Sequence, residues 1–179
     1  ATGKPLVVVL MNGHPLTIPW MAEHADAILE TWFSGTEGGH AIADVLFGDY
    51  NPSGKLTTTL PRSLGQIPIF YRQKNTGRPY DPNTKWNTRY IDLPNAPLYP
   101  FGFGLSYTTF RYDSMQVDKT EFNFAGSIKA SVKVTNTGTR AGEEVVQWYV
   151  RDLVGSVTRP VKELKGFEKI NLQPGQSQT

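Results

Sequence analysis

The sequence contains no cysteine, and that absence removes several classes of chemistry at once. Disulfide bonds, zinc sites built from thiolates and cysteine nucleophiles all require a residue type that the chain lacks. Histidine is scarce as well, because only His14, His24 and His40 are present. None of them stands in an H-x-x-x-H or H-E-x-x-H spacing, so the sequence argues against a metal site unless the three converge in space.

Strong charge and long apolar runs are also missing. A formal net charge of +2 over 179 residues is too small and too scattered to indicate a nucleic-acid partner. No apolar run approaches the roughly 20 residues that a membrane-spanning helix needs, so no membrane association is expected. The first residues, ATGKPLVVVL, lead directly into a buried-looking strand rather than a secretory leader. We therefore expect the chain to be a processed product or a fragment.

What is present at the beginning is an alternation of strand and helix patterns. The runs PLVVVL (5–10) and AILETWF (27–33) are typical of strands buried on both faces of a sheet. A short helix is predicted within residues 15–25, and a longer one over 36–48, where Gly48 would end it. One more strand is predicted at KLTTTLP. The alternation indicates an α/β domain with a parallel sheet, which we assign to residues 1–65.

After residue 100 the hydrophobic period changes to two. The segments FRYDSMQVD, SIKASVKVTNTG, EEVVQWYVRD and RPVKELKGFEKINL alternate apolar and polar residues between turn signals. In SIKASVKVTN, the apolar positions 128, 130, 132 and 134 are predicted to face one way. This spacing is typical of an immunoglobulin-like or fibronectin-type β-sandwich, which we assign to residues 101–179. The turn at Pro174-Gly175 calls for a further strand near the end, so the sandwich is expected to be incomplete there.

Residues 66–100 connect the two regions without a regular pattern. This connecting loop is rich in proline, asparagine, threonine and aromatic residues, and a structureless connection of this length is usually functional or a domain linker. Its basic and aromatic residues suit a carbohydrate or another polar organic ligand, because aromatic faces stack on rings while arginine bonds hydroxyl groups; they are Arg72, Tyr80, Trp86, Arg89 and Tyr90. The same residue types are common at interfaces between domains, and the residues alone narrowly favour that interpretation.

The stretch SGTEGGHAIADVLFG carries the most catalytic-looking cluster, Thr36 to His40. Glycines between a strand and a helix N-terminus can hold phosphate, but Glu37 would repel an anion there. A structural joint is favoured instead, with Thr36 as the helix cap, Glu37 in the first turn and the glycines packing close to the sheet. Glu37 and His40 are spaced i to i+3 and are expected to touch on the helix surface.

Several stretches taken together resemble the family 3 glycoside hydrolases of the β-glucosidase type. The most specific are GTEGG…ADVLFGDYNPSGKL and YPFGFGLSYT, and the matching stretches follow the family's order over nearly the whole chain. The resemblance is strongest to bacterial periplasmic β-glucosidases. It implies a larger parent with an N-terminal (β/α)₈ barrel, an α/β sandwich domain and a C-terminal fibronectin type III-like domain, of which this chain would be the latter part.

The resemblance also implies where the chemistry takes place. A retaining glycosidase needs a nucleophile and an acid/base carboxylate, and the family's aspartate and glutamate would both precede Ala1. Glu23, Glu30 and Glu37 match neither position. The chain alone is therefore expected to be inactive, without metal or organic cofactor. The parent would act on β-glucosides or cello-oligosaccharides, in the periplasm or outside the cell.

Within this chain the resemblance points to the connecting loop as the edge of the substrate entrance or of a homodimer contact. Arg78, Trp86 and Arg89 are the residues predicted for that edge. His14 departs from the pattern, since arginine is common at this position in the relatives. Two other functions remain open from the residues, namely a non-enzymatic carbohydrate-binding or interaction module and a nucleotide-binding α/β domain. The second would require the Glu37 turn to accept phosphate.

Overall fold

A computed structural model describes residues 3–123 and 125–179, and within them it has two α-helices, one short 3₁₀-helix and nine β-strands. In chain order these are β1 (Val7–Leu10), α1 (Pro19–His24), β2 (Ala27–Glu30), α2 (Gly38–Phe47), the 3₁₀-helix (Leu64–Gln66), β3 (Phe110–Tyr112), β4 (Gln116–Val117), β5 (Ala130–Ser131), β6 (Val134–Asn136), β7 (Gly142–Val150), β8 (Glu163–Leu172) and β9 (Ser177–Gln178). In this described part, no helix has both the length and the apolar character needed to cross a membrane.

The described residues form two compact units. The first unit comprises the residues up to Asp44 together with Lys55–Phe103 and Gln147–Gly166. The second unit comprises Val45–Gly54, Gly104–Val146 and Phe167–Thr179. Because these units are defined by contacts and not by chain order, the sequence-based boundaries at residues 65 and 100 stay a prediction.

The first unit contains the parallel sheet that the sequence predicts. Strands β1 and β2 run parallel, with Val7 opposite Ala27 and Leu10 opposite Glu30. Helix α1 connects them, as the alternating pattern indicates. The core of the unit consists of Leu10, Ile18 and Leu60, each no more than 8% exposed. Half-buried apolar side chains surround it, namely Val8, Leu16, Met21, Ile28, Leu56, Leu98 and Tyr99.

Two elements of the first unit differ from the sequence-based prediction. The second strand ends at Glu30 rather than Phe33, because Trp32 adopts the left-handed backbone region at φ +50° and cannot continue an extended strand. The strand predicted at KLTTTLP is wrong, since this stretch forms only an isolated antiparallel bridge between Leu60 and Tyr99. Its alternation reflects the burial of Leu60, which is 2% exposed, rather than a run of sheet pairing.

The second unit contains short antiparallel strands. Strand β6 lies between β3 and β9, and β4 pairs with β5. The turn at Pro174-Gly175 is followed by β9, whose Gln178 lies opposite Val134. Strands β7 and β8 pair with each other and contribute residues to both units. The apolar face predicted for positions 128, 130, 132 and 134 is buried only at its end, because Val134 is 1% exposed whereas Ile128 is 41% exposed. The interruption between β5 and β6 ends the common face.

Glu143 on β7 is the centre of a polar cluster in the second unit. Its Oε2 atom accepts hydrogen bonds from the Tyr50 hydroxyl at 2.9 Å and the Ser53 hydroxyl at 3.2 Å, and it forms an ion pair with Lys169 at 2.5 Å. The hydrogen bond from Lys169, followed by that from Tyr50, lowers the pKa of the Glu143 carboxyl. The same hydrogen bond raises the pKa of Lys169. The cluster therefore stabilises the charged form of both partners.

A candidate ligand pocket in the connecting loop

The connecting loop is anchored at its base by a buried glutamine. Gln66, which is 1% exposed, accepts a hydrogen bond from the Arg62 backbone N–H at 2.7 Å and donates one to the Pro94 carbonyl at 3.0 Å. The Arg62 side chain donates to the Ala96 carbonyl at 3.1 Å. A buried amide must satisfy its donors and acceptors, so Gln66 holds residues 94–96 against the 3₁₀-helix.

Asn95 carries this anchoring further into the loop. Its Oδ1 accepts a hydrogen bond from the Tyr90 backbone N–H at 3.0 Å, and its Nδ2 donates to the Thr88 carbonyl at 2.8 Å. The backbone is therefore held on both sides of Arg89 by one side chain. The Thr88 backbone N–H donates in turn to the Arg78 carbonyl at 2.9 Å. This hydrogen bond connects the part of the loop around residue 78 to the part held by Asn95.

Next to these contacts lies an open pocket of about 260 Å³ within the first unit. Its lining combines three aromatic or arginine side chains with aliphatic and amide groups, namely Tyr80, Arg89, Tyr90, Ile91, Leu93, Pro94 and Asn95. The apolar members are unusually exposed for their type, because Ile91 is 102% and Tyr80 is 55% exposed. Exposed apolar side chains around a concave surface mark binding sites in soluble proteins.

Only one of the three residues predicted for the entrance edge lines this pocket. Arg89 does, and it is the single charged residue of the lining. Arg78 does not belong to the lining, and its backbone carbonyl accepts the hydrogen bond from the Thr88 N–H. Trp86 also lies outside the lining; the residue is 74% exposed, and the Lys85 ammonium lies 5.7 Å from the centroid of its ring. The role of these residues at a substrate entrance or dimer contact stays a prediction.

The residue pattern did not identify Asn95, Ile91, Leu93 or Pro94 as site residues. Ile91, Leu93 and Pro94 read as ordinary loop residues, and Asn95 reads as a turn residue in PNAP. The only sequence signal for Asn95 is its position next to proline in a loop too long for a simple connection. Its bonds to residues 88 and 90 depend on a loop conformation that the sequence does not specify.

The joint between β2 and α2 is a structural turn. Helix α2 begins at Gly38, and the first helical hydrogen bond runs from the Ala41 N–H to the Glu37 carbonyl at 3.0 Å. Glu37 therefore occupies the cap position, and the prediction of Thr36 as cap with Glu37 in the first turn is wrong by one residue. A side chain at Gly38 would collide with Ser34, which explains this glycine by packing.

The predicted contact between Glu37 and His40 is confirmed. The His40 Nδ1 atom lies 2.7 Å from Glu37 Oε2, and the two side chains are 87% and 80% exposed. A pair in such contact with water is typical of a solvated helix surface, where its contribution is small. Helix α2 ends before Gly48, whose φ of +84° confirms the predicted end of the helix.

A cluster of polar side chains lies at the carboxyl ends of β1 and β2 in the first unit. The Glu30 Oε1 atom accepts a hydrogen bond from the Trp32 N–H at 3.0 Å, which supports the unusual backbone of Trp32. Glu30 Oε2 and Asn12 Oδ1 are enclosed without a hydrogen-bond partner. The Asn12 amide donates to the His14 carbonyl at 2.7 Å, so this neighbour of His14 helps to shape the exit from β1. Across residues 3–123 and 125–179, no group of three acidic or histidine side chains could hold a metal ion.

Comparison with known proteins identifies the family. A family model described as the glycosyl hydrolase family 3 C-terminal domain matches residues 1–107, and a fibronectin type III-like model matches residues 144–179. A periplasmic β-glucosidase of Salmonella typhimurium is 60% identical over 100% of this chain and 24% of its own length. A β-xylosidase of Formosa agariphila is 49% identical over 99% of this chain and 24% of its own length.

Solved structures give the same result. A β-glucosidase of Listeria innocua in complex with isofagomine superposes with a TM-score of 0.93 at 46% identity, covering 98% of this chain and 25% of its own. A Kluyveromyces marxianus β-glucosidase in complex with glucose gives a TM-score of 0.73 at 38% identity over 96% of this chain and 21% of its own. The chain thus spans about a quarter of the length of the relatives it matches. The chain belongs to glycoside hydrolase family 3, and it combines α/β structure of the family's C-terminal domain with a fibronectin type III-like β-sandwich.

Proposed function

We propose that this chain is part of a retaining β-glucosidase that removes terminal, non-reducing β-D-glucosyl residues from β-glucosides or cello-oligosaccharides. The observation that carries the proposal is similarity over the whole chain, with 60% identity to a periplasmic β-glucosidase. The superposition on a β-glucosidase in complex with glucose, at a TM-score of 0.93, supports it further. The proposed enzyme works in the periplasm or outside the cell, and it needs no metal or organic cofactor.

In this proposal both catalytic carboxylates belong to parts of the enzyme that precede Ala1. Retaining hydrolysis needs two carboxyl groups about 5–5.5 Å apart, one of them a proton donor. Glu37 is a poor proton donor of this kind, because its side chain is 80% exposed and bonded to His40. Glu30 already uses Oε1 to accept from the Trp32 N–H. The N-terminal barrel expected in the family supplies the nucleophile, and a preceding loop supplies the acid/base glutamate.

The loop pocket then contributes binding rather than chemistry. Arg89 and the aromatic rim of the pocket, formed by Tyr80 and Tyr90, line the substrate entrance or the edge of a homodimer contact. Arg78 and Trp86 lie on the neighbouring part of the loop. Aromatic rings pack on the C–H faces of sugars and aryl groups, while a guanidinium donates hydrogen bonds to hydroxyl or carboxyl oxygens. The pocket therefore suits the part of a glucoside that leaves on hydrolysis.

Activity assays on an aryl β-glucoside test the proposal. The purified 179-residue chain is expected to show no turnover, whereas a longer protein that contains it together with a barrel is expected to hydrolyse the substrate. An intact mass near 19.9 kDa verifies that the tested sample is the chain alone. Turnover by the chain that survives re-purification would contradict the assignment of the carboxylates. Absence of turnover by the longer protein would contradict the β-glucosidase assignment itself.

A second candidate is a non-enzymatic carbohydrate-binding or interaction module, which the exposed aromatic rim of the pocket favours. Titration of the chain with glucose or cellobiose, followed by tryptophan fluorescence, separates the two functions. A saturable change that disappears in Trp86→Phe would favour the module. An unchanged signal would favour an enzyme whose sugar site lies on other parts of the protein.

A further inference from the structure

We propose that the Arg89 pocket recognises a carboxylate, so that the glucosides it favours carry a ring with one carboxylate on the leaving group. This inference rests on the proposed function of the same pocket and adds a substrate class to it. The chemistry is that of a substituted aromatic acid linked to glucose. A matching class of reaction upstream would be the glucosylation of such an acid through its hydroxyl group.

The first argument is the state of Arg89. Among the residues that the structure describes, its guanidinium has no hydrogen-bond or ion-pair partner. By contrast, Lys169 pairs with Glu143, and Arg140 donates to the Gly48 carbonyl. A free guanidinium offers a planar fork of donors that matches a carboxylate with two parallel hydrogen bonds.

The second argument is the charge of the lining. Arg89 is the only charged member, and the remaining groups are phenolic, aliphatic or amide. The lining therefore contributes a single positive charge, and the exposed Asp92 between Ile91 and Leu93 lies outside it. A phosphate dianion would need more than one cation for balance, whereas one carboxylate is matched by one guanidinium. The lining thus favours a monoanionic group over a phosphate ester.

The third argument is the shape and polarity of the pocket. Its volume of about 260 Å³ is below the roughly 300–1,000 Å³ typical of sites for drug-sized ligands, so it suits one small ring. Tyr80 and Tyr90, 55% and 40% exposed, supply aromatic surface next to the guanidinium. Ile91, which is 102% exposed, adds aliphatic surface at the rim. A flat ring with a carboxylate at one end uses both parts of this surface.

The fourth argument is rigidity. Asn95 bonds the backbone on both sides of Arg89, and residues 94–96 are fixed by Gln66. A side chain whose backbone is held before the ligand arrives loses less conformational entropy on binding. Asn95 is therefore a positioning residue for Arg89, and its own amide is already occupied by the loop.

A matched pair of probes tests the inference on the 179-residue chain without any hydrolysis. The probes are 4-carboxyphenyl β-D-glucopyranoside and its uncharged methyl ester, whose affinities are measured by isothermal titration calorimetry at low salt. The acid is expected to bind about two- to fivefold more tightly than the ester, which is the range of an exposed ion pair. The preference is expected to shrink as sodium chloride is added, because an exposed ion pair is screened.

Four variants locate the effect. Arg89→Gln is expected to abolish the preference for the acid, Arg89→Lys to retain part of it, and Arg111→Gln, which removes a charge from β3, to leave it unchanged. Asn95→Ala is expected to weaken the preference while the affinity for the ester is retained, since the aromatic rim is kept.

The inference is overturned if acid and ester bind equally, if neither binds, or if Arg89→Gln behaves like the wild type. The activity of a longer protein on a neutral aryl β-glucoside is measured in parallel. If the longer protein hydrolyses the neutral glucoside but the chain binds acid and ester equally, only the inference of carboxylate recognition is contradicted. A preference for the acid without turnover in the longer protein would support the pocket while contradicting the β-glucosidase assignment.

Discussion

At the scale of single residues, Glu143 shows how one carboxylate ties together separate parts of the second unit. Tyr50 and Ser53 precede it by about 90 positions, and Lys169 comes from β8. Hydrogen bonds to an ionised carboxylate are stronger than those between neutral groups, and three donors converge on one oxygen. The lowered pKa of Glu143 records this preference for the charged form.

Replacement of Glu143 by glutamine is expected to flatten the acid limb of the stability profile. A carboxyl group whose pKa is lower in the folded state stabilises the fold above the unfolded pKa, near 4.3 for glutamate, and the stabilisation is lost as the pH falls through the lowered value. Urea unfolding between pH 7 and pH 3 measures the effect. Glu168→Gln, which removes an exposed carboxylate from β8, is the control. Equal pH dependence in wild type and Glu143→Gln would contradict the prediction.

Residue identity alone predicts some of the site and not the rest. Arg89 could be proposed because arginine between aromatic residues in an unexplained loop suggests recognition, and the structure places it in the pocket. Asn95 could not, because an asparagine beside proline signals only a turn, whereas its function depends on which carbonyl and N–H groups the folded loop brings near. Glu37 looked catalytic in the sequence, and its exposure shows a surface pair.

At the scale of elements, the ends of helices and strands depend on backbone conformation that composition reveals only where glycine is required. The end of α2 at Gly48 was predictable, since a glycine with positive φ commonly ends a helix. The end of β2 at Glu30 was not, because Trp32 adopts a positive φ that tryptophan rarely takes. The parallel pairing of β1 and β2 followed from two apolar runs and an intervening helix.

Gly48 and Gly102 offer a matched pair of substitutions at the element scale. Their φ values are +84° and +82°, so alanine is strained equally at both, by about 1–2 kcal/mol. At Gly48 a Cβ would lie 3.4 Å from the Arg140 side chain, which is at the limit of ordinary van der Waals contact. At Gly102 it would lie 2.9 Å from the Tyr149 hydroxyl and collide with Gln147, which itself donates to the Gly102 carbonyl.

Gly102→Ala is therefore expected to lower the free energy of unfolding by clearly more than Gly48→Ala does. Chemical denaturation of both variants against wild type measures the two losses, and their difference isolates the packing contribution from the shared backbone strain. A loss at Gly48 equal to or larger than the loss at Gly102 would contradict the assignment of Gly102 as a crowded position.

At the scale of the whole molecule, the described surface displays many large apolar side chains. Phe33 is 86%, Phe47 is 84% and Val154 is 93% exposed. Soluble monomers rarely expose extensive apolar surface without a partner. The fold class was predictable here because hydrophobic periods of 2 and of helical spacing occupy different parts of the chain. The exposed apolar surface, in contrast, is visible only once the elements are folded.

The 179-residue chain is accordingly expected to bind a hydrophobic dye such as 8-anilinonaphthalene-1-sulfonate several-fold more strongly than a longer protein in which the barrel is present. Fluorescence titration at equal molar concentration measures this difference, and circular dichroism in the near ultraviolet verifies that side-chain packing is retained. Equal dye binding by both proteins would show that the barrel leaves these side chains uncovered.

The fixed base of the connecting loop has a consequence for how the length of the loop can vary. Gln66 donates to the Pro94 carbonyl and so joins the two ends of the loop, whereas Asn95 bonds the backbone of residues 88 and 90 within it. The entropy cost of lengthening a closed loop grows only slowly with its length. Insertions between residues 67 and 87 can therefore lengthen the loop while the contact between its two ends and the buried core stay the same.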